Sequence, residues 1–222
     1  MGEYLNRNGY TCLGIRLAGH ATDPEDMIRS LWTDWTASVE DGYRLLSGLA
    51  DKIFLVGLSM GGILSLLMST RLKTAGVVAM STLFKLPDDP RLRHIEWISK
   101  IVAYMPKSEG APDAGWFDKQ AWKDHVSYPQ NPVRSIGELN KLLAEMRAAL
   151  SKITVPVLLI HSRDDDYVPA ENVDLIYAGL NGTLDKEKLL ITASGHVVTR
   201  DAARQQVFES ALKFIRRVED KS

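Results

Sequence analysis

Along this chain, short apolar runs alternate with stretches whose apolar residues recur every three or four positions, and the alternation predicts strands and helices in turn. Residues 5–8 read as the end of a helix that Gly9 stops, and residues 11–17 as a strand. Val39, Tyr43, Leu46 and Leu49 give residues 34–49 helical spacing. Ile53, Phe54, Leu55 and Val56 form an apolar run of the kind a sheet buries on both faces; a helix over residues 60–72 and a strand over 76–80 follow. Further on, residues 155–160 and 188–191 predict strands, and residues 173–180 and 202–218 predict helices. Such regular alternation implies an α/β fold, a mostly parallel sheet flanked by helices on both faces.

Between about residues 83 and 151 the rhythm breaks. Leu92, Ile95, Ile98, Ile101 and Met105 fall at helical spacing, and so do Ile136, Leu139, Leu143, Met146 and Leu150, which predicts two amphipathic helices. The connection between them holds Pro, Gly, Trp116, Phe117, Trp122 and Tyr128. We read residues 83–151 as a small helical cap inserted into a discontinuous core of residues 1–82 and 152–222. Its apolar stripes either pack on the sheet domain or line a substrate pocket.

A chain of 222 residues with 45% hydrophobic content builds one sizeable core. Its 27 Lys and Arg against 28 Asp and Glu leave a formal charge of -1, so no field of one sign draws it to nucleic acid or an anionic membrane. No apolar stretch has the length of a membrane span or the pattern of a leader, which predicts a soluble, cytoplasmic protein. The single cysteine, Cys12, lies in an apolar segment and reads as a small core residue; no intramolecular disulfide can form.

Candidate chemistry begins where the strand at 53–56 turns into a helix, at Gly57-Leu58-Ser59-Met60-Gly61. A serine in this setting sits in a strained turn with its hydroxyl outward, and the residues two before and two after must be small for strand and helix to approach. By itself the motif is weak, but its context is the one a nucleophile elbow needs. A serine nucleophile requires a base in hydrogen-bond reach and an acid to orient the base, and parallel sheets collect such groups at the carboxyl ends of their strands. The strand at 155–160 runs into His161-Ser162-Arg163-Asp164-Asp165-Asp166, and that at 188–191 into Thr192-Ala193-Ser194-Gly195-His196. The order Ser, Asp, His is that of an α/β-hydrolase. A metal site built from the Asp run and His161 lacks a second ligand cluster and the alternation of a calcium loop. His161 and His20 are read as lining the site or bonding loops, and His94 and His125 as surface residues.

Taken in order, Gly9-Tyr10, Leu17-Ala18-Gly19-His20, Trp35, Gly57-Leu58-Ser59-Met60-Gly61-Gly62, Ile153-Thr154-Val155-Pro156-Val157-Leu158, Asp165-Asp166-Tyr167-Val168-Pro169 and Ser194-Gly195-His196-Val197 form a distinctive set. On these residues the chain resembles the bacterial carboxylesterase and monoacylglycerol-lipase-like branch of the α/β-hydrolase superfamily, from about residue 4 to 218. The resemblance implies Ser59 as nucleophile and His196 as general acid and base. It places the acid three residues before Val168, which selects Asp165 and leaves Asp164 and Asp166 as solvated loop carboxylates or turn hydrogen-bonders. It implies a serine carboxylesterase acting on small-molecule esters of short to medium acyl chain, with no cofactor and no metal.

One departure from the family's pattern concerns charge stabilisation. Ahead of the helix that ends near Gly9, the family has a central strand and a His-Gly-aromatic loop that supplies half of the oxyanion hole. No His-Gly pair occurs in this chain. The backbone N–H of Met60 carries over as one donor and the second is unassigned, with Gly19-His20-Ala21, water and another subunit as alternatives. The expected fold is thus N-terminally truncated, with turnover slowed by about a hundred- to a thousandfold. The strand at 11–17 then either pairs directly with 53–56 or leaves an exposed edge, which predicts a homodimer. A non-catalytic α/β-hydrolase-fold protein that binds a small ligand or partner is the alternative, which the retained Ser, Asp and His disfavour.

Overall fold

The computed structural model describes residues 1–106, 113 and 115–221. In chain order it holds α1 (Gly2–Arg7), α2 (Pro24–Arg29), α3 (Trp32–Ser47), β1 (Phe54–Leu58), α4 (Met60–Met68), β2 (Gly76–Met80) and a 3-10 turn (Pro90–His94) leading into α5 (Ile95–Ile98). There follow β3 (Tyr104–Pro106), α6 (Lys119–Lys123), β4 (Gln130–Pro132), α7 (Val133–Ala149), β5 (Val157–Ser162), α8 (Glu171–Gly179), β6 (Lys186–Ile191) and α9 (Arg204–Lys221).

Four parallel strands form the main sheet in the order β1-β2-β5-β6. The two central strands explain their uninterrupted apolar sequences. Val77 and Ala79 of β2 and Val157 and Leu159 of β5 enter one core with α3, α4, α7 and α8, while Val78, Met80, Leu158 and Ile160 enter a second core with α1 and α9. A strand buried on both faces has no polar side to present, hence no alternation. β6, at one edge, carries Lys186, Glu187 and Lys188, charges that discourage further pairing. α9 buries Val207, Ala211, Leu212, Phe214, Ile215 and Val218, a one-sided stripe of helical period, and leaves its other face polar.

α7 joins the same core. Its Leu142, Leu143 and Met146 are fully buried beside Ile63, Leu66 and Leu67 of α4, and the carboxylate of Glu138 accepts the N–H of Trp32 at 3.1 Å, satisfying a donor that the first turn of α3 leaves open. The second apolar stripe of the inserted stretch therefore packs on the sheet domain through α4. The first stripe, residues 92–105, does not form one helix: a 3-10 turn and a single helical turn give way to β3, which pairs antiparallel with β4. Pairing of Met105 with Asn131 draws the chain out before the helix can extend.

Residues 11–17 form no strand, contrary to their β-rich sequence, and they pair with nothing in the main sheet. The strand preference of such residues expresses a fit to a pleated neighbour, and none lies beside them. Leu13 and Ile15 stay partly exposed, Ile15 leaning on α3 at Gly42, and Cys12 is exposed rather than in the core. Between this segment and β1 runs a groove of about 430 Å³ lined by Leu13, Ile15, Val39, Tyr43, Leu55 and Gly61 among others. The outer edge of β1 is thus unpaired and faces an apolar slot.

Candidate active site

Ser59 follows β1 and precedes α4, with φ 55° and ψ −118°, a left-handed conformation that costs a non-glycine residue on the order of 1–3 kcal/mol. Two features hold it there. Its N–H donates to the Met80 carbonyl at the end of β2 (2.8 Å), and its carbonyl accepts the N–H groups of Gly62 and Ile63, starting the helix. Of the two flanking glycines, Gly57 has no space for a Cβ, which would overlap the Gly61 carbonyl, whereas a Cβ on Gly61 would meet nothing within 4 Å. The expectation that both positions must be small holds for Gly57; Gly61 looks into the open groove instead. Gly62 is the other tight position, where a Cβ would overlap the Thr82 hydroxyl.

The structure brings Ser59, His196 and Asp165 into one hydrogen-bonded chain. His196 Nε2 lies 2.9 Å from Ser59 Oγ, and His196 Nδ1 lies 2.9 Å from Asp165 Oδ2. Because a carboxylate only accepts, Nδ1 carries the proton and Nε2 is free to accept the serine hydroxyl. Asp165 is buried; its Oδ1 accepts the N–H groups of Tyr167 (3.0 Å) and Val168 (2.8 Å), which fixes the carboxylate plane. Burial pushes the Asp165 carboxyl up, but hydrogen bonds from His161, His196 and the Val168 N–H prevail and hold it well below the ordinary range.

The neighbouring aspartates do other things. Asp164 is exposed and accepts the N–H of Ala193 at 2.7 Å, tying its loop to the one that carries His196; Asp166 is exposed. Ser162 reinforces that tie, its hydroxyl accepting the Asp164 N–H and donating to the Ser194 carbonyl. His161 is fully buried: its Nε2 donates to the Val168 carbonyl at 2.9 Å and stands 3.4 Å from Asp165 Oδ2, so it braces the acid's loop. His20 bonds the Ala18 carbonyl through Nδ1, and burial lowers its pKa against that bond. His94 and His125 are exposed. The Met60 N–H heads α4, where no preceding turn offers an acceptor and the helix dipole favours negative charge. The loop at Gly19-His20-Ala21 has left-handed Gly19 and Ala21 and is bound to the inserted stretch through the Tyr128 hydroxyl, which donates to the Gly19 carbonyl (2.8 Å) and accepts the Thr22 N–H (3.1 Å).

Sequence reasoning missed two residues. The Tyr167 ring packs against the His196 ring with centroids 5.0 Å apart. Asp201 is buried beside the His196 loop, and nothing in the sequence around it sets it apart.

A family profile described as serine aminopeptidase, S33, matches residues 1–203. The chain belongs to this family. It is 32% identical over 219 residues to a thermostable monoacylglycerol lipase of Bacillus sp. (strain H-257), covering 96% of this chain and 82% of that protein. It is 26% identical over 220 residues to a carboxylesterase of Bacillus subtilis (strain 168), covering 99% and 86%. A solved structure described with LipS and LipT, two metagenome-derived lipolytic enzymes, matches with a TM-score of 0.86 at 32% identity, covering 97% of this chain and 86% of that one. A soluble variant of the monoglyceride lipase of Saccharomyces cerevisiae shares the fold, with a TM-score of 0.72 at 18% identity over 92% and 76%. The fold is that of the α/β-hydrolases, with the lipase and carboxylesterase relatives in the same branch. Among the described residues, no helix is long and apolar enough to cross a membrane and no group of acidic, Cys and His residues could hold a metal.

Proposed function

We propose that this carboxylic ester hydrolase works through an acyl-enzyme on Ser59. His196 takes the hydroxyl proton as Ser59 attacks the ester carbonyl, returns it to the leaving alcohol, and then activates the water that frees the acid. Asp165 keeps the imidazole in the required tautomer and balances its charge while it is protonated. The Met60 N–H binds the oxyanion, and the Gly19-His20-Ala21 loop is our candidate for the second donor. The observation that carries this reading is the unbroken chain of hydrogen bonds Ser59–His196–Asp165.

In this reading residues 1–82 and 152–222 form the core and residues 83–151 the cap, anchored through α7 on α4. The cap's apolar side chains furnish an acyl site for short- to medium-chain esters. The selection is graded, since one methylene is worth only about 1–3 kcal/mol in such a pocket. The reading also includes a homodimer that covers the open edge of β1, because an unpaired edge beside an apolar slot favours pairing. Sedimentation equilibrium at micromolar concentration tests this part, and a monomer alone rejects it.

The experiment for the reaction is turnover of p-nitrophenyl esters of increasing acyl length, run beside aminoacyl p-nitroanilides, with mass spectrometry after treatment with a serine-reactive phosphonate. Ester turnover together with one phosphonate adduct on Ser59 supports the reading. Turnover of the anilides alone, or an adduct elsewhere, rejects it.

A further inference from the structure

Asp201 is 1% exposed, and all the donors to its carboxylate described here are backbone N–H groups. Oδ1 accepts from Phe117 (3.0 Å), Asp118 (2.6 Å) and Ala202 (2.8 Å). Oδ2 accepts from Gly195 (2.6 Å) and shares the Phe117 donor at 3.3 Å. Hydrogen bonds to an ionised acceptor are short and strong, and a buried carboxylate is tolerated only where such donors surround it. Two of these donors belong to the inserted stretch, and Gly195 immediately precedes His196.

The same stretch rests directly on both loops that follow β5 and β6. A Cβ on Gly195 would overlap the Gly115 carbonyl, and a Cβ on Gly115, whose φ is +73°, would overlap the Asp166 carboxylate. Arg204 pins the far side, donating to Asp118 Oδ2 (2.6 Å) and to the carbonyls of Arg200 and Asp201 (3.1 Å each). Residues 115–118 are therefore wedged against the Asp165 and His196 loops, with Asp201 as the common acceptor.

We infer that Asp201 is a positioning residue that makes the seating of the cap and the alignment of His196 a single event. This rests on the reading of His196 as the general base. Oδ2 sets the height of the His196 loop through the Gly195 N–H, and the cap's Phe117 and Asp118 hold the carboxylate from the other side. Withdrawing residues 115–118 removes that hold and lets the base drift from Ser59, so the chemical step requires this segment in place.

The test is Asp201→Asn, which keeps shape but turns an amide N–H toward either the Gly195 donor or the Phe117 and Asp118 donors. The expected result is a fall in kcat on the order of ten- to a hundredfold, equal for acetyl and octanoyl p-nitrophenyl esters, with KM little changed. A lowered Tm with parental kcat, or a KM increase confined to the octanoyl ester, overturns the inference. Gly115→Ala, which leaves Asp201 intact and pushes the cap segment off the Asp166 side, is expected to lower kcat in the same way. A folded Gly115→Ala with parental kcat overturns the coupling even where Asp201→Asn does not fold. Ser59→Ala run in parallel separates the two levels: if it retains turnover, the acyl-enzyme reading falls and this inference with it. If Ser59→Ala is inactive while Asp201→Asn keeps parental kcat, the inference alone falls.

Discussion

Gly57 and Gly61 flank Ser59 at equal distance in sequence, yet a Cβ on Gly57 would overlap the Gly61 carbonyl while a Cβ on Gly61 would meet nothing within 4 Å. The asymmetry comes from the open edge of β1: Gly61 lines the groove where a further strand would lie. Gly57→Ala is expected to abolish turnover, since backbone overlap cannot be relieved without moving the elbow, at a cost of about 1–3 kcal/mol or more. In protein diluted until the proposed dimer has dissociated, Gly61→Ala is expected to retain turnover and to raise stability by about 0.5–1 kcal/mol, because alanine loses less backbone entropy in a helix. Thermal melts and ester assays on the two variants check this. Equal damage from both would show that a strand or a second copy fills the groove in solution.

Asp165→Asn is expected to lower kcat by about a thousand- to ten-thousandfold, because the amide presents the wrong partner to His196 Nδ1. Asp166→Asn is expected to be nearly silent, and Asp164→Asn to cost no more than a few fold through its bond to Ala193. The same variant changes acid stability. The folded-state pKa of Asp165 lies below its ordinary value of 3.8, so below that value the unfolded chain binds the proton more readily and folded stability falls as pH drops toward the folded pKa. Denaturant titrations from pH 5 downward should show a shallower loss of stability in Asp165→Asn than in the parent. An unchanged slope would show that Asp165 is not the carboxylate held ionised.

Leu142 and Leu143 place α7 in the core with α4, and Leu142→Ala is expected to cost about 2–5 kcal/mol. Trp97, 64% exposed on α5, is expected to tolerate alanine within about 0.5 kcal/mol. Urea midpoints at constant m-value measure both. A Leu142→Ala loss below 1 kcal/mol would mean that α7 detaches from α4 in solution.

What the sequence reveals, and what it hides, follows from where each signal lies. Ser59 stands out because it directly follows the apolar run of β1, and Asp165 and His196 because they lie in the loops that follow β5 and β6, whose ends the parallel sheet brings together. β2 is read to the residue because both of its faces are buried. Residues 11–17 mislead because β-branched and apolar residues report only a surface waiting for a neighbour. The stripe at 92–105 misleads because the β3–β4 pairing, a contact with residues some 26 positions away, overrides helical spacing. Asp201 is silent because its partners are backbone N–H groups, which every residue but proline offers.

The oxyanion hole gives the last prediction. Fusing a strand and a His-Gly-aromatic loop ahead of Met1, with the strand directed into the slot beside β1, should add an N–H opposite that of Met60. Such a donor binds charge that develops only in the transition state, so the gain falls on kcat rather than KM, by up to about a hundred- to a thousandfold. The strand would also bury Leu13 and Ile15 and pair the free edge of β1, so Tm should rise with kcat. Stopped-flow acylation with p-nitrophenyl acetate separates the chemical step from product release. A folded fusion with raised Tm and parental kcat would show that the chain already has its second donor. Gly19-His20-Ala21, held in place by Tyr128, would then be the segment to alter, and Tyr128→Phe, which frees the Gly19 carbonyl, the variant expected to lower kcat.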